Sequence, residues 1–533
     1  MKKVLLTAGA LMLWTGTVCA ADMVRIPAED YRAIMKSLEA LQNRVVELES
    51  NQGTVAPAAR PAPTPAARPS RPMSKNDSAR IDRLADDVNN IYDTLDQVET
   101  KTLKDRVNLG AEYRLRYDSY AYKDLMVASF ATGLPVPATT DSTTEHDDDN
   151  FTNRFRINMD ANISKSLKFH ARLAAYHAWG DHDQHDLVNF NNDGNAVHTL
   201  GDNGLKVDRF YVDWIPQGFP LPVAITVGRH PSTEGPPAEF KENRKRQSTY
   251  PSLIFDGEAD GIVATLGLER YIGLKNAGLR FAYGKFYRSD MNDTDFGWLD
   301  NENTKDSDIF ATFLEGKIPF INNSLMVFSY AHIYDLPANF VDGTPADGII
   351  LGDADLYGAH FQVSDLANSG LDLYVSGSIN EMTPNDEPAN LGSGFSLLTL
   401  TPGVPAAQTD VEGQTGWAVV AGFRYTLPIK ALNKPKFGFE YNHGSKYHFT
   451  PTTGANELYN KFAVRGDAYE VYYIQPVSRY LFFRTGATYA DFDFTGSGQP
   501  VGEPMRLERM INADGDEVDT TMTNIYFLMD VRF

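Results

Sequence analysis

The sequence predicts an all-β transmembrane barrel of about 16 antiparallel strands, within a range of about 14 to 18, preceded by a helical coiled-coil stalk. Three observations predict it. The chain opens with an export-type leader; from Val107 onward it runs in segments of about ten residues with alternating polarity; and the connections between those segments are short and long in strict turn. Beyond the leader no apolar run approaches the roughly 18 residues of a membrane helix, yet 30 Phe and 26 Tyr supply large apolar surface. A barrel reconciles these facts, because strands that alternate lipid-facing and lumen-facing side chains look weakly hydrophobic on average.

The leader is residues 1–20. Lys2 and Lys3 precede an apolar stretch from Val4 to Trp14, and Val18-Cys19-Ala20 supplies a small-residue cleavage pattern, so the mature chain is expected to start near Ala21. Gly16-Thr17-Val18 lacks a leucine-type lipobox, which argues against a lipid anchor on Cys19. With Cys19 removed no cysteine remains for a disulfide, a thiolate metal site or a Cys-x-x-Cys-His haem attachment, and no cofactor is expected. The net charge is −21, or −23 without the two leader lysines, which argues against a nucleic-acid partner.

The stalk comes next. Tyr31, Ile34, Leu38, Leu41, Val45 and Leu48 recur at alternating spacings of three and four, and Ile81, Leu84, Val88, Ile91, Leu95 and Val98 repeat that rhythm. Both stretches are otherwise polar, which favours a coiled-coil seam over a helix packed on a globular core. The expected coiled coils are residues 21–52 and 76–104. The linker between them, 53–75, carries six prolines from Pro57 to Pro72 and favours an extended conformation. Such a stalk reaches on the order of 100 Å, enough to approach peptidoglycan from the outer membrane. Arg60, Arg68, Arg71 and Lys75 either assist an anionic periplasmic partner or merely solvate the linker.

The barrel is expected over residues 105–533. Short connections are placed near 164–166, 216–222, 271–276, 319–323, 366–369, 428–433 and 477–479. Long ones are placed at 119–150, 180–204, 231–257, 289–305, 335–353, 382–414, 445–464 and 492–519. That alternation suits periplasmic turns and extracellular loops, with the stalk on the periplasmic side. In the final strand Thr521, Thr523, Ile525, Phe527, Met529, Val531 and Phe533 share one face, while Asn524, Tyr526, Asp530 and Arg532 share the other. An alternating terminal strand ending in Phe533 resembles those of outer-membrane barrels generally.

A closer resemblance rests on particular segments. Leu109 to Tyr117 (Leu-Gly-Ala-Glu-Tyr-Arg-Leu-Arg-Tyr) resembles the first strand of alginate-export-type porins, and Val227-Gly228-Arg229-His230 is similar to another strand end in them. A coiled-coil start followed by this barrel resembles an outer-membrane porin family of environmental proteobacteria, in which the segment standing here as Gly228 to Pro237 recurs. The resemblance implies a barrel in the outer membrane but no substrate. Alginate-export barrels lack the long stalk and have more strands, so alginate is not carried over.

Alternation turns Glu112, Arg114, Arg116 and Asp118 into the lumen, with Arg154, Arg156, Asn158 and Asp160 beside them and Arg209 on a later strand. Five arginines either form a cationic wall that attracts anions or pair with Glu112, Asp118, Asp160 and Asp213 to stiffen the barrel. The third long loop holds Lys241, Arg244, Lys245 and Arg246 between Pro237 and Pro251. Folded inward, it places them at a constriction that favours phosphate, sulfate or carboxylates; folded outward, they are solvated.

Other loops are acidic: Asp141, Glu145 and Asp147 to Asp149, then Asp290, Asp293, Asp295, Asp300 and Glu302. They suit divalent cations that bridge to lipopolysaccharide. Asp181, His182, Asp183, His185 and Asp186 resemble a metal cluster, and Asp514, Gly515, Asp516, Glu517 and Asp519 a calcium loop without its spacing; a solvated loop explains both more simply. No nucleophile elbow, zinc-helix motif or phosphate loop is present, so no enzyme is expected. The expected function is passive diffusion of small hydrophilic solutes, with some preference for anions, in a homo-oligomer that is trimeric by analogy. Its rivals are an envelope tether with a plugged barrel, a sleeve around a separate haem protein, and a barrel enzyme.

Overall fold

The computed structural model describes residues 107–124, 126–128, 135–137, 144–179, 205–257, 259–287, 306–337, 350–384, 413–451, 460–498, 504–511 and 515–533. The expected leader, both coiled coils, the linker and the 181–186 cluster lie outside these residues.

Sixteen strands close into one antiparallel barrel. In chain order they are β1 (Val107–Lys123), β2 (Thr144–Asn162), β3 (Leu167–Ala178), β4 (Lys206–Trp214), β5 (Val223–His230), β6 (Ala259–Gly267), β7 (Gly278–Tyr287), β8 (Ser307–Gly316), β9 (Ser324–Pro337), β10 (Ile350–Val363), β11 (Leu371–Pro384), β12 (Gln414–Thr426), β13 (Lys436–Gly444), β14 (Gly466–Pro476), β15 (Leu481–Phe492) and β16 (Thr521–Arg532). Each strand pairs with its chain neighbours, and β16 returns to β1, matching Tyr113 with Val531 and Tyr117 with Phe527. The seam is finished by backbone bonds from Ala111 N to Phe533 O (2.8 Å) and from Phe533 N to Ala111 O (3.0 Å). A closed barrel is what an exposed apolar exterior demands, since it leaves no edge with unpaired backbone groups.

The strand number and the rhythm of connections agree with the sequence. The first connection is shorter than expected, because β1 runs on to Lys123 and β2 already begins at Thr144. Here the polarity inverts. Tyr120 and Tyr122 point inward and are buried, so the apolar-out signature that marks a membrane strand disappears while the pairing continues. A bulge on β4 beside Arg172 lets Asp208 and Arg209 both face inward, which strict alternation forbids.

Large apolar side chains stand exposed on the outer wall, among them Leu109, Phe210, Ile262, Ile379, Trp417 and Ile525. The inner wall is charged and aromatic. Three inward tyrosines lie over glycines directly opposite on the next strand: Tyr374 over Gly422, Tyr472 over Gly438 and Tyr526 over Gly486. A Cβ at Gly438 would collide with the Tyr472 ring, so the missing side chain is what lets the ring lie flat on the wall.

Candidate functional site

The first two strands build a wall of charge. Pairing of β1 with β2 sets Glu112 opposite Arg156 and Arg114 opposite Arg154. Two like charges directly across a strand pair repel. Carboxylates from the third long loop, which folds into the barrel, answer them.

That loop, residues 231–257, carries one short helix, α1 (Ala238–Lys241). Glu242 at its C-terminal end takes a forked pair of bonds from Arg114. Arg484 on β15 reaches the same carboxylate at 3.1 Å, and Arg532 on β16 lies 3.4 Å away. Glu234, before the helix, accepts from Arg156 at 2.9 Å, pairs with Arg244 of its own loop, and lies 3.6 Å from Arg154. Asp530 on β16 completes the wall, accepting from Arg114 Nε at 2.8 Å and Arg532 Nη2 at 2.9 Å. All of these groups are buried or nearly so, where forked arginine–carboxylate bonds fix geometry best.

The rest of the loop reaches strands further round the barrel. Lys241 Nζ meets Glu470 on β14 at 3.1 Å, and Gln362 on β10 donates to Glu239 at 2.9 Å. Arg424 on β12 donates to the Phe240 carbonyl at 2.9 Å and covers the Phe240 ring, which stacks on Tyr374 of β11 at 5.2 Å. Arg246 and Arg280 share Glu315 of β8 at 3.0 and 2.8 Å. The loop thus spans the lumen, latched from β1 to β10.

A second loop joins it. Thr450, after β13, donates to the Leu253 carbonyl at 2.7 Å, and Asp256 N donates to the Pro451 carbonyl at 3.2 Å. Lys461 of the same connection reaches both Glu440 and Glu470. Between the two loops and the wall lies a cavity of about 40 Å³, lined by Glu234, Lys241, Glu242, Glu440, Lys461 and Glu470 among others. That is room for a few waters.

Arg114, Arg116, Arg154, Arg156 and Arg209 all face the lumen and are buried, as alternation requires. Of the four expected carboxylates two pair with them, Asp118 and Glu112, the latter 3.7 Å from Arg154 and 4.0 Å from Arg156. Arg116 does bond Asp118, at 2.6 Å, and Arg209 donates to Thr233 at 2.5 Å. Asp160 and Asp213, however, go to His170, at 2.5 and 3.3 Å. The third loop folds inward as one of the two readings had it, yet its cations are not presented to an open eyelet. Lys241, Arg244 and Arg246 each meet a carboxylate, because burial leaves no water to solvate them, whereas Lys245 is exposed.

Sequence reasoning missed Glu234, Glu242, Glu440, Lys461, Glu470, Arg484 and Asp530. The inward positions of Glu440, Glu470 and Arg484 were there to be counted on their strands, but their partners come from loops. Among the described residues no group of three or more His, Cys, Asp and Glu side chains is arranged to hold a metal ion.

Residues 144–533 match the family described as "Protein of unknown function (DUF3373)". The chain belongs to that family. The match in this DUF3373 chain begins where β2 begins, so Arg154, Arg156, both inward loops and β16 lie within it while Arg114 and Arg116 on β1 precede it. No curated protein matches the chain. Among solved structures it is similar to Pseudomonas putida OprB, with 12% identity over 82% of this chain and 96% of that one and a TM-score of 0.42. It is also similar to Salmonella typhi OmpF in complex with daunomycin, with 10% identity over 80% and 97% and a TM-score of 0.39. A third likeness is to the in-vitro folded outer-membrane protein OmpT of Vibrio cholerae, with 10% identity over 80% and 98% and a TM-score of 0.38.

Proposed function

We propose that this DUF3373 chain is an outer-membrane channel for small hydrophilic solutes, anion-preferring, whose third loop latches the lumen. The observation that carries this reading is the arginine wall inside a closed barrel: Arg114, Arg154, Arg156, Arg484 and Arg532 line one side of a lumen sheathed by an apolar exterior. Arginines held in a narrow, partly desolvated passage attract anions, and passive diffusion requires no catalytic group. The apolar belt suits lipid, and the outer membrane is the compartment in which such barrels reside. Trimeric assembly, contact with lipopolysaccharide and a periplasmic stalk approaching peptidoglycan belong to the same reading and rest on the sequence.

The loops give a second reading some weight. A lumen crossed by two loops, with about 40 Å³ between them, also suits a plugged barrel that anchors the stalk. Single-channel recording in a planar bilayer under a salt gradient separates the two. The channel reading expects brief or small anion-selective steps, enlarged when residues 238–246 are replaced by a short Gly-Ser link. Silence from both folded proteins favours the anchor.

A further inference from the structure

Glu234 and Glu242 occupy two adjoining arginine cradles. Arg114 holds Glu242 while its direct cross-strand neighbour Arg154 lies against Glu234. Directly opposed residues stand about 5 Å apart at Cα, and Arg154 also bears on Glu242, so the two cradles adjoin. The wall's own acids cannot neutralise it. Glu112 is shared by Arg154 and Arg156 and Asp530 by Arg114 and Arg532, while Asp208, 3.9 Å from Arg156, is bonded to Arg172 at 2.6 Å. Some further anion must therefore sit on this wall. The loop supplies two, and nothing in the chemistry of the cradles distinguishes a glutamate of the chain from a carboxylate in solution.

We propose that the wall is a two-point oxyanion site, filled by Glu234 and Glu242 in the absence of solute, and that a small solute carrying two carboxylate or phosphate groups exchanges with them and unlatches the loop. The inference rests on the channel reading and gives it a solute class. A carboxylate tethered by a short segment competes at an effective concentration on the order of millimolar, so a free dianion at millimolar concentration displaces it. A monoanion fills one cradle and leaves the other glutamate in place.

The test uses the full chain carrying Ser252→Cys. Ser252 lies on the loop, is fully buried and donates to the Gly235 carbonyl at 2.8 Å, so labelling of a thiol there by a water-soluble maleimide reports release of the loop. Labelling is measured by mass spectrometry of that peptide in succinate, phosphate, acetate and chloride at equal ionic strength. The expected result is labelling about tenfold faster in millimolar succinate than in chloride, with acetate near chloride. Adding Glu234→Gln and Glu242→Gln lowers the succinate concentration needed for occupancy about tenfold, whereas Glu269→Gln, whose carboxylate accepts from Asn276 N in the short connection after β6 and does not touch the loop, leaves it unchanged. A larger response to phosphate, which carries a single group, than to succinate overturns the two-point site. Equal labelling in succinate and acetate, or in all four salts, overturns the proposal. Bilayer current is recorded in parallel: a conducting protein indifferent to oxyanions overturns this inference alone, and a responsive protein that never conducts overturns the channel reading alone.

Discussion

Glu440 and Glu470 stand directly opposite each other across the β13–β14 pair, both buried, and the Lys461 ammonium lies between them. Tyr374 donates to Glu440 and Tyr526 to Glu470, and Lys241 also reaches Glu470, but without Lys461 the two buried carboxylates would lose the ammonium that bridges them. Lys461→Met is expected to destabilise the barrel by about 3–5 kcal/mol, the usual cost of breaking a buried ion pair from one side. Adding Glu440→Gln recovers part of the loss. Heat-dependent gel mobility of the folded protein reads both; an unchanged unfolding temperature in Lys461→Met would refute the account.

Gly438→Ala drives a methyl group into the face of the Tyr472 ring, which is packed among other side chains. Overpacking of this kind costs about 1–3 kcal/mol. Pairing it with Tyr472→Leu, which gives the methyl room, makes the double variant more stable than the sum of the two single changes, as measured by a double-mutant cycle.

His448 sets a pH dependence in the seventh long loop. Burial pushes its imidazole down to about 4, with Arg465 and His443 pushing the same way and the Phe462 carbonyl, which accepts from Nε2 at 2.7 Å, opposing them. An unfolded histidine titrates near 6.5. Because the unfolded chain binds the proton first, the stability this group confers is intact above about 6.5 and is lost as pH falls towards 4. The protection factors for amide exchange of residues 445–451 should therefore fall over that window and lose this dependence in His448→Phe.

Removing one latch carboxylate tests the loop's role in conduction. Glu242→Gln leaves Arg114, Arg484 and Arg532 facing a neutral group, so the loop is held less tightly and the wall becomes more cationic. The expected outcome is a higher open probability and a reversal potential shifted further towards anions. A shift towards cations would contradict the assignment of this wall as the selective surface.

The barrel was legible because its code is local. Each strand declares its faces through a period of two, and a connection needs only its length to be recognised. Legibility stopped where alternation ceased to mean lipid against water. Beyond Asp118, Tyr120 and Tyr122 turn inward while Ser119, Ala121 and Lys123 turn outward, so the strand end carries no apolar-out signature to tell it from a loop. The arginines of β1 and β2 face the lumen as alternation expects, but the partners of Arg114 lie 128 and 416 residues along the chain, beyond the reach of any local pattern. Nothing in residues 445–464 distinguishes a loop that enters the lumen from one that leaves it, since Lys461 is an ordinary polar residue until Glu440 and Glu470 are seen side by side.

Arg532 donates to the Glu242 carbonyl across 290 residues of chain, and Arg114 sits between Glu242 and Asp530. The closing strand therefore does two tasks at once: it seals the cylinder and completes the socket in which the loop is seated. A cylinder left open at that seam would hold half a socket and an unseated loop. Loop seating thus reports whether assembly has finished, and a leaky, half-zipped intermediate is betrayed by its own unanchored glutamates.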